Sequence, residues 1–104
     1  MNFIDFKEWL ENNTNGYGIF IRKANDLQEE KNKKRTGKNK KWNEARIEKE
    51  VKSMWTILAQ NAYDKIRAEK GVPSYNGKQI WIDFMNEINF IEMFDDSVSD
   101  MEFE

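Results

Sequence analysis

Residues 43–70 constrain the fold more than any other part of the chain. Ile47, Val51, Met54, Trp55, Leu58, Ala62 and Ile66 recur at the three- and four-residue spacing of a single helical face. Asn43 precedes the stripe as a cap, and Glu44 suits the positive start of a helix. Trp42 and Ile47 have the spacing of a hydrophobic staple. Gly71 suits a left-handed stop, and Pro73 cannot continue the helix. The spacing therefore predicts one helix over 43–70, about 42 Å long at 1.5 Å per residue. A spine of that length sets the scale for everything packed on it.

The flanking segments read as shorter helices. Phe6, Trp9 and Leu10 place a helix over 5–12, with Asp5 and Glu8 spaced as a capping box, and Asn12 to Gly16 supply turn chemistry. Tyr17, Phe20, Ile21, Ala24 and Leu27 fit a helix over 17–34, while Tyr17–Ile21 alone would also make a strand. Ser74 to Gly77 form a turn. Trp81, Phe84, Met85, Ile88, Ile91 and Phe94 then give a helix over 78–94, with alternation at 79–84 allowing a short strand. Ile80, Ile82, Phe90 and Met93 lie off that stripe, so this helix is either central to the core or has a second partner. The expected fold is mostly α: a bundle of three to four helices around the 43–70 spine, with a short β element near 17–21 or 79–84. Residues 1–94 would be one domain and 95–104 an acidic tail.

Composition narrows the chemistry. The chain of 104 residues has no cysteine and no histidine. Disulfides, thiolate metal sites, Ser/His/Asp and Cys/His nucleophile systems and the usual zinc ligands are excluded. Asp95, Asp96, Asp100 and Glu102 are hard oxygen donors, but their spacing does not match a calcium loop. No glycine-rich phosphate cradle is present. The expectation is a protein that is not an enzyme and carries neither metal nor cofactor. The N-terminus lacks a signal peptide pattern, and no apolar run spans a membrane. Four tryptophans, seven phenylalanines and three tyrosines supply a core despite 35% charged residues. Trp9, Trp55 and Trp81 lie on apolar stripes and read as core.

Charge is sorted along the chain. Residues 31–41 hold seven basic residues and no acid; residues 79–104 hold eight acids and no base. Such segregation concerns partners more than fold. Asp83, Glu87, Glu92, Asp95, Asp96 and Asp100 would form an acidic face. On a helix the charges of Asp83, Glu87 and Glu92 stand about 6–8 Å apart, close to the spacing of backbone phosphates, and suit a protein surface built for nucleic acid. Lys33, Lys34, Arg35, Lys38, Lys40 and Lys41 could instead follow a phosphate backbone directly, with Trp42 stacking on a base. Each segment could also be a solvated surface, or the two could neutralise one another inside the fold.

This small, Lys-, Asn- and Glu-rich chain resembles the proteins that phages and mobile elements of low-GC bacteria encode, anti-CRISPR inhibitors among them. The resemblance covers size and composition. It implies a compact, non-enzymatic inhibitor in the cytoplasm of a bacterial host cell. Its partner would be a protein that handles nucleic acid, such as a CRISPR effector. The alternatives are a nucleic-acid-binding module using 31–42, or a self-associating structural protein, such as a homodimer, joined through 78–94.

Overall fold

The computed structural model describes residues 1–37 and 41–103. Five helices follow one another: α1 (Phe3–Asn13), α2 (Gly16–Lys34), α3 (Glu44–Lys70), α4 (Gly77–Glu87) and α5 (Phe90–Asp100). Among the described residues there is no strand. The stretches 17–21 and 79–84, which alternation left open to β structure, lie inside α2 and α4. A lone strand would leave its backbone groups without a ladder, whereas a helix satisfies them locally.

The spine is as expected. Asn43 Oδ1 accepts from Arg46 N at 2.8 Å at one end, and Gly71 (φ 64°) donates to Arg67 O at 2.7 Å at the other. Val51, Trp55, Ala59, Tyr63 and Ile66 are its buried residues. The start of α1 differs: Asn2, not Asp5, is the cap, and its Oδ1 accepts from Asp5 N at 2.8 Å.

The larger difference is in 78–94, which is two helices. Asn89 adopts left-handed backbone (φ 55°, ψ 43°) and ends the run, a conformation Asn reaches at lower cost than most residues. The break accounts for apolar residues on every side of the segment. One straight helix could bury a single face; two helices at different angles bury two. Trp81 and Met85 point inward from α4, Phe94 and Val98 from α5, and Ile82, Phe90 and Ile91 pack against the core as well. With five helices among the described residues, the bundle has one more than the largest number expected. Asp95–Asp100 are the last turns of α5, so helix continues where a tail was expected to begin.

Aromatic rings join these elements along α3. Phe6 meets Trp81 at 6.0 Å and Tyr63 at 5.6 Å, and Tyr63 meets Trp81 at 5.0 Å. Farther along α3, Trp55 lies against Tyr17, Phe20 and Phe94 at 4.8–5.8 Å. Phe90 touches both groups, stacking on Phe94 at 5.8 Å and meeting Phe6 at 6.2 Å. Each fully buried ring of this size removes enough area from water for roughly 4–6 kcal/mol of transfer free energy, before entropy is counted. Polar atoms fix the ends of the inner cluster: Tyr63 donates to Met1 O at 2.9 Å, and Trp81 Nε1 to Gly71 O at 3.0 Å.

The molecule is elongated, 55 × 25 × 20 Å. Helix α2 lies antiparallel along the first half of α3, α1 and α4 cover its second half, and α5 crosses the middle. Beyond Leu27 the apolar stripe of α2 is lost, and the two helices continue as a charged arm.

Candidate functional site

The acidic ridge is built by helix phase. On α4, Asp83 and Glu87 stand one turn apart and opposite Trp81 and Met85. On α5, Glu92, Asp96 and Asp100 stand at successive turns opposite Phe94 and Val98. One turn advances about 6 Å, so the core residues place these carboxylates at regular intervals in solvent. All five are exposed. Among the described residues, the ion pairs are Lys7–Glu11, Lys34–Glu30 and Lys52–Glu48, each within one helix. None reaches the ridge, and none joins the basic segment to the acidic one. Asp83 accepts from Gln79 Nε2 at 2.7 Å, a neutral neighbour that leaves its charge uncompensated.

Asp95 is the exception in the acidic set, because the fold uses it internally. Helix α2 begins without a side-chain cap of its own and without an acid in its first turn. Asp95 supplies both from 79 residues away. Its Oδ1 accepts from Gly16 N at 2.8 Å and from the Thr14 hydroxyl, and Oδ2 accepts from Asn15 N at 3.4 Å. Gly16 is needed for this approach: a Cβ there would stand 3.1 Å from Asp95 Oδ1 and 3.3 Å from Phe94. The opposite end of α5 has the complementary need, since its last turn contains no basic residue. Lys23 of α2 meets it, donating to the carbonyl oxygens of Val98 (3.1 Å), Ser99 (2.6 Å) and Met101 (3.1 Å). Two helices thus exchange charged caps, a carboxylate on a helix start and an ammonium on a helix end. The sequence carried a signal for this. The segment 79–104 has no base of its own, so any cation at the end of α5 has to come from another element.

The basic segment closes the far end of the arm. Lys31, Lys33 and Lys34 occupy the last turn of α2. Arg35 and Lys41 follow, while Lys38 and Lys40 lie outside the described residues. Asn32 grips the returning chain with both amide atoms: Nδ2 donates to Trp42 O at 3.0 Å, and Oδ1 accepts from Trp42 N at 2.7 Å. Trp42 is not a free stacking platform. The guanidinium carbons of Arg35 and Arg46 lie 3.9 and 4.3 Å from its ring. In this structure the half-buried indole is a platform for two guanidinium groups.

Other cavities lack a comparable charge pattern. A groove of about 530 Å³ between α2 and α3 is lined by Tyr17, Ile21, Ile47 and Val51 together with Glu29, Glu44, Glu48 and Lys52. Lys52 holds its proton more tightly than usual, through its hydrogen bond to Glu48 and the charge of that carboxylate. Among the described residues there is no group of three or more acidic side chains placed to hold a metal ion, and no helix long and apolar enough to cross a membrane. Comparison with protein families, curated proteins and solved structures finds no match.

Proposed function

We propose that the chain is a non-enzymatic binding protein and acts as an inhibitor. Its α4–α5 ridge would occupy a basic, nucleic-acid-binding surface of a partner protein. One observation carries the proposal: Asp83, Glu87, Glu92, Asp96 and Asp100 are exposed at one-turn intervals, with no cation in ion-pair distance among the described residues. A fold that needed these charges for its own stability would pair them. Left open, they attract a lysine- or arginine-lined channel and speed association at low salt.

Exposed ion pairs alone are each worth about 0.2–1 kcal/mol, so the ridge also needs apolar anchors. The aromatics of this region turn inward. Met93 (61% exposed), Ile80 (38%) and Ile88 (36%) are apolar side chains left beside the ridge, and they are the anchors of this proposal. The break at Asn89 places two of that segment's four surplus apolar residues, Ile82 and Phe90, against the core and leaves Ile80 and Met93 exposed, which weakens the motive for self-association through 78–94.

The test is a pull-down from the native host's lysate with the wild-type chain and with Asp83→Lys/Glu87→Lys/Glu92→Lys/Asp96→Lys. The wild type should retain a nucleic-acid-binding protein that the reversed variant does not, and excess duplex DNA should release it. Retention indifferent to both the substitutions and the DNA would overturn the proposal.

A further inference from the structure

The charged arm at the opposite end of the molecule has no role in that function. We infer that its tip is a second, independent contact surface, for the phosphate backbone of duplex nucleic acid. Residues 31–37 and 41–46 hold six cations, Lys31, Lys33, Lys34, Arg35, Lys41 and Arg46, against one acid, Glu44. Lys34 shares its charge with Glu30 at 3.6 Å, with both side chains largely exposed; the other five have no ion pair among the described residues. Two helices carry these groups out from the body. From Met54, the level at which Met101 and Phe103 still cover the pair, α3 runs about 15 Å to its start at Glu44, taking 1.5 Å per residue. Among the described residues, a projecting cationic tip meets little steric opposition when it approaches a rod-shaped polyanion.

The geometry also selects the form of nucleic acid. Binding of single strands depends on open aromatic faces on which bases stack. Here Trp42 lies against two guanidinium groups, and the exposed aromatic elsewhere, Tyr75, belongs to the loop before α4. A guanidinium lying on an indole keeps its remaining N–H groups for phosphate oxygens; Arg35 spends one on Asn32 Oδ1, at 3.3 Å. Arg35 and Arg46 are thus held by Trp42, and the loop carrying Trp42 is held by Asn32. Among the described residues, the arrangement holds two phosphate donors against the indole and leaves no open aromatic face at the tip on which a base could stack. Contact should therefore be independent of sequence and favour a double helix, whose phosphates are regularly spaced.

This surface is separate from the acidic ridge, so its failure would leave the ridge proposal standing. The experiment is fluorescence anisotropy of the full chain against a labelled mixed-sequence duplex of about 20 base pairs and against one of its strands, titrated between about 50 and 200 mM salt. Lys33→Gln/Lys41→Gln and Asn32→Ala are compared with wild type, after circular dichroism confirms an unchanged fold. Expected are a duplex Kd in the range of about 1–100 μM at the lower salt, a log–log salt slope near −4, and a slope weakened by about one for each lysine replaced. Asn32→Ala should weaken binding several-fold while helical content at the assay temperature stays that of the wild type. Absence of duplex binding at low salt would overturn the inference. So would a slope indifferent to the lysine substitutions. Preference for the single strand with quenching of Trp42 fluorescence would show that the indole stacks on bases, and would overturn it equally.

Discussion

Removing the Asp95 carboxylate should destabilise the protein far more than removing its neighbour on the same helix. Asp95→Ala takes away the hydrogen bonds to Gly16 N, Asn15 N and the Thr14 hydroxyl, and with them the negative charge at the start of α2. A lost N-cap costs about 1 kcal/mol, and a half-buried charge on a helix terminus adds about 1 kcal/mol. The sum, about 2 kcal/mol, corresponds to a fall in Tm of roughly 8–16 °C for a domain of this size. Asp95→Asn keeps an acceptor but no charge and should lose about half as much. Asp96→Ala removes an exposed ridge residue and should change stability by no more than about 0.5 kcal/mol. Thermal unfolding by circular dichroism and urea unfolding by tryptophan fluorescence measure all three. Equal Tm values for Asp95→Ala and Asp96→Ala would refute the exchange of caps between α2 and α5. They would return Asp95 to the solvent-facing set.

The partner of that contact gives a second prediction. Lys23→Met should cost about 1–2 kcal/mol in urea unfolding, because three carbonyl oxygens at the end of α5 lose their donor. Gly16→Ala should cost about 1 kcal/mol or more, since its methyl would press on Asp95 and Phe94, and combining it with Asp95→Ala should give less than the sum. Asn89→Gly should be neutral or slightly stabilising. Asn89→Val should cost about 1–2 kcal/mol, because a β-branched residue disfavours the left-handed backbone that ends α4. Calorimetric Tm values decide between these outcomes.

The spine was legible because every local signal agreed: Asn43 as cap, the apolar stripe, Gly71 and Pro73. The outward direction of Asp83, Glu87 and Glu92 was legible too, since each lies opposite a buried residue in helical phase, whereas Asp96 and Asp100 fell in the expected tail. The division at Asn89 was not. Asn86-Glu87-Ile88-Asn89 contains neither glycine nor proline, and a single residue in left-handed backbone leaves helical spacing intact on both sides. Nor was the role of Asp95 visible along the chain, because a cap joining positions 79 residues apart depends on tertiary packing. The cation contacts of Trp42 were hidden for a related reason. An aromatic beside lysines suggests a base-stacking platform, but Arg35 and Arg46 reach its ring only when α2 and α3 turn back on each other.

Independence of the two charged surfaces is best measured by a double-mutant cycle on folding stability. Lys33→Glu/Lys41→Glu on the arm is crossed with Glu92→Lys/Asp96→Lys on the ridge, at about 150 mM salt where screening acts beyond roughly 8 Å. Separate surfaces predict additivity, with a coupling energy within about 0.5 kcal/mol of zero. A coupling above about 1 kcal/mol would mean that arm and ridge neutralise each other inside the molecule, and would contradict the account.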